Sequence, residues 1–282
     1  MTPPGPPDLL LLLYDDPTEP VTAAVLGHPA AFGIELVAMS AAQLVGEATV
    51  GQRWQWRGRT IEPARTAVIN RLTMPVAVGP EAVVPPFFAG RQVWTWLERA
   101  LRDFAYASAL PTALSPVGGY GSLLDQWLDL PTLLEGLQVP AHRAPWDRAA
   151  LHGDVHRVDP WQLYSLGVRV AGGDAPAGGL DYVRPRGGLV HAAQVGGTVM
   201  LANVAPGTTA QQQSYIVSFA NAMAVRSTTR ILEHAFFVGD GVPVFYSTCP
   251  VPVITGTLPD YPQLLVQGLR DDLARRRFRT AA

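Results

Sequence analysis

Six consecutive apolar residues, Leu9-Leu10-Leu11-Leu12-Leu13-Tyr14, stopped by Asp15-Asp16-Pro17, constrain this chain more than any other feature. A strand with no polar side must be covered on both faces, which is the situation of a central strand in a parallel sheet. The run is far too short to cross a bilayer, which takes about 20 apolar residues. The proline-rich residues 1–7 before it lack the positive start of a signal peptide, so the expected location is cytoplasmic. Downstream, residues 21–31 read as a helix and 34–39 as the next strand, after which Ser40 N-caps a short helix. Residues 50–56 alternate, turn at Arg57-Gly58-Arg59 and return through Thr60-Ile61, a hairpin signature. Thr66-Ala67-Val68-Ile69-Asn70 is a further buried strand, ending in Arg71. Strand–helix alternation at this spacing predicts an open α/β layer.

Beyond a proline-interrupted stretch at 75–86, residues 92–110 predict a helix, with Val93, Trp96, Leu97, Leu101, Phe104 and Ala105 on one stripe. A second helix, 123–137, carries Pro131 and is expected to kink or split there. Residues 162–170 read as strand and 172–179 as a glycine-rich loop. Residues 189–195 and 198–204 flank Gly196-Gly197 as a β-hairpin. A helix over 211–226 follows, then a second hairpin turning at Gly239-Asp240-Gly241 and a closing helix over 261–277. The class is α/β, passing to α+β in the C-terminal part. Its expected divisions are an N-terminal open α/β domain at 1–108, a central subdomain at 109–187 and a C-terminal hairpin-plus-helix subdomain at 188–282.

With 282 residues, 48% of them hydrophobic, the chain can bury about three quarters of its unfolded surface. A net charge of −2 supplies no field to steer it to nucleic acid or an acidic membrane. The basic run Arg275-Arg276-Arg277-Phe278-Arg279 suits a solvated helix C-terminus. Cys249 is the only cysteine, so no intrachain disulfide forms. All 21 basic residues are arginine, so any anion is held by guanidinium, bidentate and always charged, never by an ammonium.

Three stretches, in order, carry a resemblance. Ala67-Val68-Ile69-Asn70-Arg71 ends the N-terminal unit, Gly136-Leu137-Gln138-Val139-Pro140 follows a helix, and Gly239-Asp240-Gly241 opens a hairpin that leads to Pro250, Pro252 and the last helix. Together they resemble the ATP-grasp superfamily, in particular RimK-like and peptide-modifying ligases of natural-product clusters. The resemblance implies an ATP-grasp architecture over nearly the whole chain. It also implies a site in which lysines hold ATP phosphates while a glutamate, an asparagine and an upstream acid hold two Mg²⁺.

At the positions that resemblance marks, the residues differ. Counting from Asp240-Gly241, the glutamate position is Ser247 and the asparagine position is Cys249; the upstream acid falls at His234, with Glu233 beside it. Asp125 stands where a lysine is usual. Magnesium takes hard oxygen donors, and Ser, Cys and His do not replace two carboxylates and an amide. The metal-position residues are therefore His234, Ser247 and Cys249, with Asp240 as a weaker acid. Arg169, Arg184 and Arg186 are the candidate phosphate or carboxylate clamps. The expected function is a binding protein that has lost Mg-ATP ligase chemistry, a pseudoenzyme serving a peptide or protein partner in biosynthesis, with no resident cofactor. It is expected to act without nucleic acid or membrane, and a homodimer is compatible with the sequence. The alternative is an active carboxylate–amine ligase using ATP and Mg through arginine clamps and a relocated acid such as Glu233 or Asp240.

His152-Gly153-Asp154-Val155-His156 also resembles the catalytic loop of aminoglycoside phosphotransferases, which implies Asp159 as a metal ligand and Asp181 as the second metal aspartate. The plain reading is a polar surface turn. A soft pair of His234 and Cys249 across the second hairpin is a further option, against a hydrogen-bonded core histidine and a small core thiol. Trp54, Trp56, Trp94, Trp96 and Trp127 are expected to cluster between the first hairpin and the long helix.

Overall fold

The computed structural model describes residues 7–49, 54–72, 99–101, 104, 110–112, 122–143, 150–158, 179–226, 230–250, 252 and 254–279. Arg169, Asp159, Trp94, Trp96, the 75–86 and 172–178 stretches and the expected 162–170 strand lie outside them. So does most of the 92–110 helix, of which residues 99–101 and 104 are helical.

The leucine run is β1 (Leu9–Tyr14), with Leu11, Leu12 and Leu13 at 0% exposure. It lies between β2 (Glu35–Ser40) and β6 (Thr66–Arg71), parallel to both, and β7 (Leu110–Thr112) extends the sheet beyond β6. The two faces bury different partners, as a strand without a polar side requires. Leu10 and Leu12 pack with α1 (Pro20–Gly27) and the last helix, whereas Leu9, Leu11 and Leu13 pack with Trp54, Leu101 and Phe104. The expected 21–31 helix is divided: α1 stops at Gly27, and Pro29–Phe32 form a separate 3₁₀ turn. Ser40 does cap α2 (Ala41–Glu47), through a reciprocal box with Gln43. A meander of β3 (Ala48–Thr49), β4 (Trp54–Trp56) and β5 (Arg59–Ile61) turns at Arg57 and Gly58, both with φ positive, as a two-residue hairpin turn demands.

Helix α3 (Leu123–Leu133) runs through Pro131 and ends two residues later, so the proline sits in its final turn rather than splitting it. Asp125, at the position where the resemblance has a lysine, completes a capping box. It accepts from the backbone N–H of Ser122 at 2.7 Å and from its hydroxyl at 2.8 Å. A small antiparallel sheet follows, ordered β8 (His142–Arg143), β10 (Leu180–Val183), β9 (Val155–Val158).

The large C-terminal sheet is antiparallel, ordered β12 (Thr198–Ala202), β11 (Gly188–Val195), β13 (Ile231–Val238), β14 (Val244–Cys249). Its back is covered by α4 (Ala210–Arg226), whose Phe219 ring meets His234, Phe236 and Phe245 at 5.2, 5.1 and 5.0 Å. Its front divides. Ala193, Val195 and Ile231 pack with α5 (Tyr261–Arg279) and the N-terminal sheet, whereas Ala235, Phe237 and Tyr246 share a core with Trp127 and Tyr182. The approach of α5 is close: a Cβ on Gly268 would stand 2.5 Å from the carbonyl oxygen of Val195. The expected tryptophan cluster therefore separates. Trp54 packs on Phe104 at 4.7 Å, while Trp127 belongs to the C-terminal core.

Candidate functional site

The front of the large sheet, where it faces the small one, is the region that holds the sequence-predicted metal positions. Side chains alternate across a sheet, and residues directly opposite on neighbouring strands share a face. The ladders set His191 against Ala235 and Ala235 against Ser247; one row on, Ala193 opposes Glu233 and Glu233 opposes Cys249. A β-bulge at Ala235/Phe236 places both Tyr246 and Ser247 opposite Ala235, so both turn to the front.

This register separates the positions that the sequence marks. The residue across from Ser247 is Ala235, not His234, and the partner of Cys249 is Glu233. His234 points to the back, fully buried and paired with Thr248. Its Nε2 is 2.7 Å from Oε1 of Gln194 and its Nδ1 is 2.8 Å from the Thr248 hydroxyl. The Gln194 amide nitrogen donates to the Gly196 carbonyl, which leaves its oxygen to accept. The imidazole proton therefore sits on Nε2, and Nδ1 accepts from Thr248. Burial pushes the His234 pKa down to about 3, so the ring stays neutral. Both ring nitrogens are spent inside the core, and the soft His234–Cys249 pair is not formed.

Glu233 is the acid on the front face, and both its oxygens are engaged. Oε2 accepts from the Thr255 N–H at 2.6 Å, the Thr255 hydroxyl at 2.7 Å and the Ile254 N–H at 3.1 Å. Oε1 accepts from the Ile254 N–H at 3.4 Å and lies 3.8 Å from Nδ1 of His191. Burial raises the Glu233 carboxyl above its ordinary range, against the pull of those donors, and lowers the His191 imidazole. Glu233 thus ties the segment after β14 down onto the sheet. Sequence reading offers Glu233 only as a relocated acid; its tie to Ile254 and Thr255 is not visible there.

Asp240 is elsewhere. It is exposed in the β13–β14 turn, which Gln212 holds by donating to the carbonyls of Gly239 and Gly241 at 2.7 and 2.8 Å. From Val244 to Cys249 the strand covers about 17 Å, so Asp240 cannot share an ion with residues 247 and 249. Arg186 belongs to the same end, because Gly187 brings the chain against the turn. At φ +106°, a Cβ there would sit 2.0 Å from the Val238 carbonyl oxygen. Arg184 is exposed, with its guanidinium 5.9 Å above the Phe237 ring. Arg184 and Arg186 therefore lie exposed at the turn end of the sheet, while Ser247 and Cys249, 2% and 4% exposed, are buried toward the other end.

The His152–His156 segment is an exposed turn that leads into β9, as the plain reading expects. His156 pairs across from Tyr182 and faces inward, its Nε2 3.0 Å from Oδ2 of Asp154. Asp181 is held from both sides, by Arg157 at 2.6 and 3.0 Å and by Arg143. These guanidiniums hold its carboxyl at about 2. An acid so engaged is a strand-to-strand tie, and the all-helical lobe of a phosphotransferase is replaced by antiparallel sheet. Among the described residues no group of three or more His, Cys, Asp or Glu side chains is arranged to hold a metal, and no helix is long and apolar enough to cross a membrane.

No protein-family model and no curated sequence matches this one. The fold, in contrast, matches solved structures along nearly the whole chain. The ATP-grasp ligase PsnB complexed with a minimal precursor superposes with a TM-score of 0.66 at 15% identity, covering 96% of this chain and 99% of that one. The same ligase with minimal precursor, Mg and ADP gives 0.61 at 16%, covering 95% and 98%. The macrocyclase MdnC bound with precursor peptide MdnA, from Microcystis aeruginosa MRC, gives 0.63 at 11%, covering 95% and 99%. The chain has the ATP-grasp fold.

Proposed function

We propose that this ATP-grasp-fold protein is a non-catalytic accessory protein that binds a peptide or protein partner in a biosynthetic system, and that Mg-ATP ligase chemistry has been lost from it. One observation carries the reading. Across the three strands where the fold's metal ligands are expected, the front face presents His191, Ala235 and Ser247, then Ala193, Glu233 and Cys249, and the one carboxylate among them is consumed by Ile254 and Thr255. Magnesium demands near-octahedral oxygen ligation at about 2.0–2.1 Å, and this donor set does not provide it. No step through a metal-bound nucleotide follows from such a face.

The choice of a peptide rests on the fold's solved examples, several of which hold precursor peptides. Arg184 and Arg186, exposed at the turn end of the sheet, are suited to bidentate capture of a carboxylate; Arg169 belongs to the same proposal. The competing reading, an active ligase with guanidinium phosphate clamps, draws support from these same exposed arginines.

Mg-ATP melting curves separate the two. A ligand at one hundred times its Kd adds about 2.7 kcal/mol to the folded state. The accessory reading expects no rise in Tm up to millimolar Mg-ATP, and a saturable rise abolished in Arg184→Glu/Arg186→Glu would establish the ligase-like reading instead.

A further inference from the structure

The space between the small sheet and the front of the large one is filled by the protein's own rings. Tyr182 enters from β10, Tyr246 from the bulge of β14 and Trp127 from α3. Their centroids form a nearly equilateral triangle, with Trp127–Tyr182 at 5.6 Å, Trp127–Tyr246 at 5.7 Å and Tyr182–Tyr246 at 5.6 Å, all edge-to-face at 61–68°. Phe237 closes the group 5.5 Å from Tyr246. Such separations are direct contact. A ring sandwiched between two others holds them about 7 Å apart, twice the contact distance of ~3.5 Å, and no pair here leaves that gap.

The group is also tied by a polar bond: the Trp127 indole N–H donates to the Tyr246 carbonyl at 2.6 Å. With exposures of 2%, 8% and 4% for Trp127, Tyr182 and Tyr246, the triad is neither solvated nor waiting for a partner.

We propose that Trp127, Tyr182 and Tyr246 form a resident plug in the space between the two sheets, so that this space is a closed slot for a planar ring such as a nucleobase and opens only when the Tyr182 ring is removed. Tyr246 reaches the front by ordinary alternation from Phe245, and the bulge keeps Ser247 on that same face beside it. The proposal rests on the non-ligase reading but concerns base binding, whereas the arginines concern phosphate; the two can fail separately.

Adenosine, which has no phosphate, is the probe, read by melting temperature on the full chain. Wild type and Tyr182→Phe should show no shift at millimolar adenosine. Tyr182→Ala, which vacates the slot, should gain about 5–10 °C at a hundredfold excess over its Kd. A shift in wild type, or folded Tyr182→Ala that ignores adenosine, overturns the plug. Should that variant not fold, nitration of native wild type by tetranitromethane with peptide mapping decides: Tyr215 reacts while Tyr182 and Tyr246 do not, and modification of either refutes closure. Wild type responding to Mg-ATP but not to adenosine would sink the non-ligase reading and leave the plug intact.

Discussion

Removing the carboxylate of Glu19 should cost this protein a large share of its stability. Arg71, at the end of β6, is completely buried, and Glu19, before α1, is 7% exposed at the side chain. The guanidinium donates to Glu19 through Nη2 at 2.6 Å and Nε at 3.2 Å, and through Nη1 to the carbonyl of Pro250 at 2.9 Å, 179 residues away. Glu19 also accepts from the Thr22 N–H and hydroxyl at 2.9 and 3.0 Å, capping α1. Glu19→Ala leaves a dry positive charge with one carbonyl for company, which costs about 3–5 kcal/mol. The lost cap adds about 1 kcal/mol. Against a total stability on the order of 5–15 kcal/mol, the sum of about 4–6 kcal/mol corresponds to a fall in Tm of roughly 10–20 °C. A double-mutant cycle by urea denaturation is the assay. Glu19→Leu/Arg71→Met removes both charges together and should be far less damaging than the two single losses added, because neither partner is stranded. Additive losses, or a Glu19→Ala cost below about 1 kcal/mol, would show that the pair does not hold the N-terminal sheet to the end of β14.

Two further expectations concern the C-terminal half. His234 is neutral in the fold with its pKa near 3, against about 6.5 in an unfolded chain. As pH falls the unfolded chain takes the proton first, so the stability is full above about 6.5 and falls by about 1.4 kcal/mol per unit toward 3. Urea melts across that window should show His234→Gln lacking one proton's worth of slope, and an unchanged slope would contradict the buried neutral ring. Gly268→Ala should cost about 1–3 kcal/mol by urea denaturation, since the added methyl meets the Val195 carbonyl oxygen at 2.5 Å; a neutral substitution would mean that α5 can lift off the sheet freely.

The architecture was legible because its signals are local. An apolar run bounded by Asp-Asp-Pro, glycine turns at 57–58 and 196–197, and the Ser40 cap each specify their own segment without help from tertiary contacts. The site was less legible, because register is not local. Counting along the sequence placed the upstream acid at His234, whereas one residue of slip reverses the face a side chain occupies, and the bulge at Ala235/Phe236 introduces such a slip. Asp125 illustrates a different limit: as a charge in a motif it looked hostile to phosphate, yet its carboxylate serves the helix that bears it. The triad of Trp127, Tyr182 and Tyr246 was invisible for a third reason. Its members come from three elements separated by more than 50 residues, and nothing in their spacing reveals a meeting.

The docking of α3 has one more consequence. Gln126 reaches the outer edge of β14 with both ends of its amide, giving its N–H to the Thr248 carbonyl at 3.1 Å and taking the Thr248 N–H at 2.8 Å, while Trp127 takes up the Tyr246 carbonyl. Those are the bonds a neighbouring strand would make, so a glutamine stands in for a fifth strand and the ladder terminates there. Among the described residues a peptide arriving in extended form finds that edge already bonded at Phe245, Tyr246 and Thr248, and a lesion that detaches α3 would convert much of a sealed border into a template for intermolecular pairing.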